Sequence, residues 1–115
     1  MRHALIHDKE ITMMVARWSI DAKFGYKQNV IDLMQRWLRE IGNQAGMSVD
    51  KTRLLTGSIG APEATVQSEL LIKDLAELNQ IWEKLAANAA HKQWSKDLEP
   101  HVVSGSNRWE IYRVL

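Results

Sequence analysis

The chain has 115 residues, no cysteine, and a formal net charge of +1 from fifteen Lys and Arg against fourteen Asp and Glu. That length supports one domain with one modest core, and the balanced charge offers no basic block to follow a phosphate backbone. The missing thiols exclude disulfides, thiolate zinc sites, a CxxC redox pair and a cysteine nucleophile.

The opening "MRHALIHDKE" lacks the apolar h-region of a secretory signal, and no apolar run nears the ~20 residues that span a bilayer. A cytoplasmic protein is expected, with neither nucleic acid nor membrane as partner; the absence of cysteine suits that reducing compartment. Residues 1–9 are expected to form a flexible leader, His3 and His7 being part of a loose end and not a metal pair, and residues 10–115 the single domain.

"ITMMVARWSI", Ile11 to Ile20, is rich in strand formers and apolar at both parities, which predicts a strand covered on both faces. After "DAKFG", the segment "NVIDLMQRWLREI" spaces Val30, Leu33, Met34, Trp37 and Ile41 by three and four, an amphipathic helix stopped by Gly42 and Gly46. Strands follow over about Thr52 to Ile59 and Thr65 to Ile72, with a Gly60 and Pro62 loop between them. "GSIG" at Gly57 to Gly60 lacks a following helix or P-loop lysine and reads as strand end and turn, not a phosphate loop. Asp74, with Glu77 three residues on, caps a second helix whose stripe is Leu75, Leu78, Trp82 and Leu85. Helical character resumes or continues through Ala86 to Leu98; "SGSN" turns the chain and "RWEIYRVL" closes it as a fourth strand.

The order strand, helix, strand, strand, helix, strand is the ferredoxin-like α+β plan: an antiparallel sheet with both helices on one face and the first and third strands central. Met13, Val15 and Leu71 fall on the parity away from the helices. An apolar face of that kind is an interaction surface, and the simplest cover is a second copy.

This order with two apolar sheet faces resembles the dimeric α+β barrel superfamily, in which two ferredoxin-like sheets pack face to face. The segment "WEKLAANAAHKQWSKDLEPHVVSGSNRWEIYRVL" is similar to the small NIPSNAP-like and antibiotic-biosynthesis-monooxygenase-like members, where a long second helix carrying His and Trp precedes a terminal strand. The resemblance implies a homodimer, and a range of roles: cofactor-free oxygenation of aromatics, polyketide cyclisation, aldoxime dehydration on haem, muconolactone isomerisation or ligand sensing. Two other ferredoxin-like families lack support. An RNA-recognition motif needs aromatics on its third strand, where "TVQSELLI" has none, and heavy-metal chaperones need paired cysteines. An amino-acid-sensing ACT module, whose usual place is fused to an enzyme, stays open as a lone module.

Sheet parity selects the candidate polar residues. With Val66, Leu70 and Ile72 toward the helices, Gln67 and Glu69 turn away; Trp109 and Ile111 likewise leave Glu110 and Tyr112 opposite, and Trp18 and Ile20 leave Arg17. Thr56 and Ser58 complete the set, and Arg17 is expected between Glu69 and Glu110. This cluster reads either as a pocket, with Arg17 on a ligand carboxylate or enolate and a carboxylate or Tyr112 moving a proton, or as a structural ion cluster at a dimer interface.

In "HKQWSKDLEPH", one helix would separate His91 and His101 by ~15 Å along its axis, and Pro100 makes Glu99 a poor helical residue, so the two belong to different local structures and chelate no common metal. His91 is the better general base, three residues before Trp94 on one helical face. Trp37 and Trp82 read as core. Neither metal nor cofactor is expected, and no CxxCH haem attachment signal occurs. Three functions follow: binding of an apolar or aromatic small molecule between sheet and helices; a cofactor-independent monooxygenase, cyclase or isomerase using His91 or Tyr112 with Arg17; or a structural dimerisation module.

Overall fold

The computed structural model describes residues 13–115; the expected leader, with His3 and His7, lies outside them. The elements are β1 (Met14–Asp21), α1 (Lys27–Glu40), a 3-10 turn at Gly42–Ala45, β2 (Thr52–Thr56), β3 (Thr65–Ile72), α2 (Leu75–Ala86), α3 (Ala89–Leu98), a 3-10 turn at Glu99–His101 and β4 (Arg108–Arg113). The sheet is antiparallel in the order β2-β3-β1-β4, the ferredoxin-like arrangement with β1 and β3 in the middle.

One apolar parity builds the core. Ala16 and Ile20 of β1 and Val66, Leu70 and Ile72 of β3 pack with Val30 and Met34 of α1, Leu78 and Ile81 of α2, and Trp94 and Leu98 of α3. Met34, Leu70 and Ile72 are almost fully enclosed, each contributing about 1.5–3 kcal/mol by burial. β1 and β3 are central, so both are paired on each edge. β4, at one edge, leaves all six of its residues exposed in the single chain.

Two local features depart from expectation, and a third decides between a resumed and a continuous second helix. β2 ends at Thr56, three residues short of Ile59, because the chain turns out of the ladder at Gly57. The second helix is two helices: after Ala86 the Asn88 side chain accepts a hydrogen bond from the His91 N–H at 3.0 Å and starts α3, so a cap residue outweighs the helix propensity of the surrounding alanines. Glu99 keeps helical dihedrals (φ −49°, ψ −44°) despite the following proline, because the last turn tightens into a 3-10 turn that takes Pro100 near its start. The capping box at α2 forms as the spacing suggests: Asp74 accepts from the Glu77 N–H at 2.9 Å, while the Glu77 carboxylate accepts from the Lys73 N–H at 2.7 Å. The buried stripe of α2 is Leu78, Ile81 and Leu85; Leu75 and Trp82 lie at its exposed edges.

The β2–β3 connection is pinned at its base. Gly57 N–H donates to Thr65 C=O and Thr65 N–H to Pro62 C=O, both at 3.2 Å. A Cβ on Gly57 would lie 1.8 Å from the Pro62 carbonyl oxygen. Gly57→Ala is therefore expected to cost about 2 kcal/mol as the hairpin shifts to relieve the overlap; urea unfolding measures it, and an unchanged midpoint would show that the loop yields freely.

Candidate functional site

Two clusters of chemistry-bearing side chains lie on opposite faces of the sheet. On the helix side, Trp18 of β1 pairs with Trp109 of β4, Trp37 lies in the last turn of α1, Trp82 on α2 and Trp94 on α3. These are all five tryptophans of the chain. Together with Ile20, Met34, Met47, Leu85 and His91 they line a cavity of about 620 Å3 between sheet and helices, whose polar groups include Ser68, Glu99 and Asn107. Apolar walls with a few polar groups are the usual make-up of a small-molecule site.

The walls are held by specific contacts. Trp94 Nε1–H donates to Leu33 C=O at 2.8 Å, and Trp37 Nε1–H to His91 Nδ1 at 2.9 Å. The His91 ring stacks on Trp94, 5.8 Å between centroids and 21° between planes, as their three-residue spacing on one helix suggests. Trp37 tilts against Trp94 at 5.8 Å, and Trp82 meets Trp109 edge to face at 5.3 Å. Trp37 needs the glycine that ends its helix, since a Cβ at Gly42 would come within 2.7 Å of the indole ring. Trp37 is thus core and cavity wall at once, whereas Trp82, 38% exposed, is not the core residue its stripe suggests.

The Trp37 bond bears on what His91 can do. An indole N–H has no acceptor capacity, so Nδ1 must carry the lone pair and the neutral ring its proton on Nε2. Burial holds the His91 imidazole below its ordinary value, and protonation would set a second N–H against the Trp37 donor. The general-base role expected of His91 is therefore obstructed: its basic nitrogen is already engaged.

On the open face, the register places Arg17 directly between Glu69 and Glu110, as parity predicts. The Glu69 carboxylate is nearly enclosed and held by two guanidinium groups, Arg17 Nε–H donating to Oε2 at 2.7 Å and Arg53 Nε–H to Oε1 at 2.9 Å. Burial alone would raise the Glu69 carboxyl, but the hydrogen bonds and charges of Arg17 and Arg53 outweigh it and hold the group below the usual range. Arg17 is raised by the same hydrogen bond and lies 4.9 Å from the Tyr112 ring centroid. The Tyr112 hydroxyl donates to Glu110 at 3.2 Å.

The expected site residues therefore divide. Arg17, Glu69, Glu110 and Tyr112 gather on the open face; His91 and Trp94 sit in the aromatic cavity, with the sheet between the groups. Within one chain, Arg17 or Tyr112 cannot serve a molecule bound beside His91. Thr56 and Ser58 join neither group. Thr56 pairs with Val66 and so has the helix-side parity, its hydroxyl donating to Thr65 C=O, and Ser58 is exposed beyond the strand end. Arg53, opposite Glu69, takes the place assigned to them. The alternation of β2 carried that signal once its register was known. Among the described residues no three His, Asp or Glu side chains gather as metal ligands, and no helix is long and apolar enough to cross a membrane.

No protein-family model matches the sequence, and no curated protein sequence is similar to it. Solved structures share the fold. A NIPSNAP family protein of unknown function from Agrobacterium tumefaciens superposes with a TM-score of 0.75 at 11% identity, covering 90% of this chain and 89% of that one. A dimeric protein of unknown function with a ferredoxin-like fold from Bacteroides fragilis gives 0.62 at 10% identity, over 89% and 96%. A Nitrosomonas europaea protein provisionally described as an antibiotic biosynthesis monooxygenase gives 0.62 at 12% identity, over 90% of each chain. The fold is the ferredoxin-like one of NIPSNAP and monooxygenase-like proteins, matching the resemblance drawn from the sequence; likeness at this identity speaks for the fold alone.

Proposed function

We propose that the protein binds an apolar or aromatic small molecule in the tryptophan-lined cavity and works as a cytoplasmic homodimer joined through the open sheet face, without a resident cofactor. The observation that carries the binding role is the convergence of all five tryptophans and His91 on one cavity of about 620 Å3. A chain needing only a core would have no reason to bring its largest side chains to the walls of an open space. The dimer rests on the open face, where Leu71 and Tyr112 are exposed beside Val15, and on the dimeric Bacteroides fragilis neighbour of the same fold.

An enzymatic reading, a cofactor-independent monooxygenase, cyclase or isomerase, draws on the monooxygenase-like neighbour and on the presence of both an imidazole, His91, and a carboxylate, Glu99, in the cavity lining. Native mass spectrometry of the protein as purified tests these readings together. A dimer carrying a retained small molecule is the expected result. A bare dimer whose tryptophan fluorescence answers no aromatic probe favours a dimerisation module, and a monomer at micromolar concentration refutes the assembly.

A further inference from the structure

We infer that His91 is locked as its neutral Nε2–H tautomer by the Trp37 indole and presents that N–H to the cavity, so that the site selects planar aromatic molecules bearing an uncharged oxygen acceptor such as a ketone. The inference rests on the cavity reading and deepens it.

Three observations converge. Trp37 Nε1–H donates to His91 Nδ1 at 2.9 Å, which assigns the ring proton to Nε2. Stacking on Trp94 fixes the plane of the imidazole, so both its tautomer and its orientation are set before any ligand arrives. Nε2 has no hydrogen-bond partner among the described residues and is not one of their sealed, unpartnered side-chain atoms, so the N–H is open to an acceptor from the cavity that His91 lines.

The surroundings narrow the class of acceptor. The tryptophan faces favour a flat aromatic body and would also attract an organic cation. An ammonium, however, has no lone pair for the Nε2–H donor, and the cavity lining, which includes no Lys or Arg among the described residues, offers an anion no countercharge. An uncharged carbonyl oxygen on an aromatic frame satisfies both.

Two measurements on the folded protein test this. Long-range 15N–1H NMR of the imidazoles, with His91 assigned by loss of its signals in His91→Phe, should show a protonated Nε2 and a bare Nδ1 at neutral pH. A protonated Nδ1 overturns the lock without any ligand being needed. Calorimetric titration then compares three probes of similar body: 2-acetylnaphthalene, 2-isopropylnaphthalene and 2-naphthyltrimethylammonium. The affinity of the ketone relative to the isopropyl hydrocarbon should fall by about 2- to 10-fold in His91→Phe, the worth of one hydrogen bond. An unchanged ratio overturns the donor role while leaving the cavity a binding site, and tightest binding by the cation overturns the selectivity. Failure of all three to bind overturns the cavity reading and the ligand class with it, while the NMR result still decides the tautomer.

Discussion

Trp37→Ala is expected to lower stability by about 3–5 kcal/mol, the usual cost of truncating a large buried aromatic, and so to bring a domain of this size close to unfolding at ordinary temperature. The indole is 6% exposed, and its loss opens a void beside Trp94 and Gly42 while leaving His91 Nδ1 without its donor. Trp37→Phe keeps most of the ring volume and loses only the indole N–H, so it should cost about 1–2 kcal/mol, close to the net worth of one hydrogen bond plus some repacking. Urea unfolding followed by far-ultraviolet circular dichroism separates the two. If Trp37→Ala costs less than ~1 kcal/mol, the ring is not the keystone between α1 and α3 that its contacts indicate.

How far the sequence reveals this arrangement depends on which physical signal each part leaves. β3 is legible to the residue because Val66, Leu70 and Ile72 repeat with period two between clear breakers, and its bounds match the expected Thr65 to Ile72. Once the strand order follows from the element order, the neighbours of Arg17 are fixed by parity, and Glu69 and Glu110 stand where that logic puts them. β2 defeats the same logic. Leu54 and Leu55 are adjacent, so apolarity marks no single face: parity alone puts Thr56 on the wrong one and leaves Arg53 without a signal. The aromatic cavity leaves a weaker trace still. Periodicity places Trp37 and Trp82 on apolar stripes, but whether a stripe residue fills a core or walls a cavity depends on how α1, α2 and α3 pack against one another, which no local spacing encodes. The break at Asn88 adds to this, because it divides the long second helix and lets α3 carry His91 and Trp94 independently of α2.

The open face yields the second large effect, through Glu69. Glu69→Gln removes the charge that holds Arg17 and Arg53 together on a nearly enclosed position. Breaking a fully buried pair costs about 3–5 kcal/mol; the expected loss here is about 2 kcal/mol at pH 7, since the Arg53 side chain is 72% exposed and water screens its share. The sign of the pH dependence follows from the depressed carboxyl. Its folded value lies below the ordinary 4.5, so the unfolded chain binds the proton more readily. The stabilisation is complete above about 4.5, declines as pH falls toward the folded value, and is gone below it. The stability gap between the wild-type chain and Glu69→Gln should therefore narrow as urea unfolding is repeated from pH 7 down to pH 3. A gap that stays constant would mean the carboxylate charge contributes nothing beyond its shape. The same variant separates the two meanings of the cluster: if sedimentation finds Glu69→Gln folded but dissociated, the ions belong to an interface between subunits, whereas a variant that loses stability and still dimerises makes them a clasp within one sheet, tying β2, β3 and β1 together on the face the helices leave open.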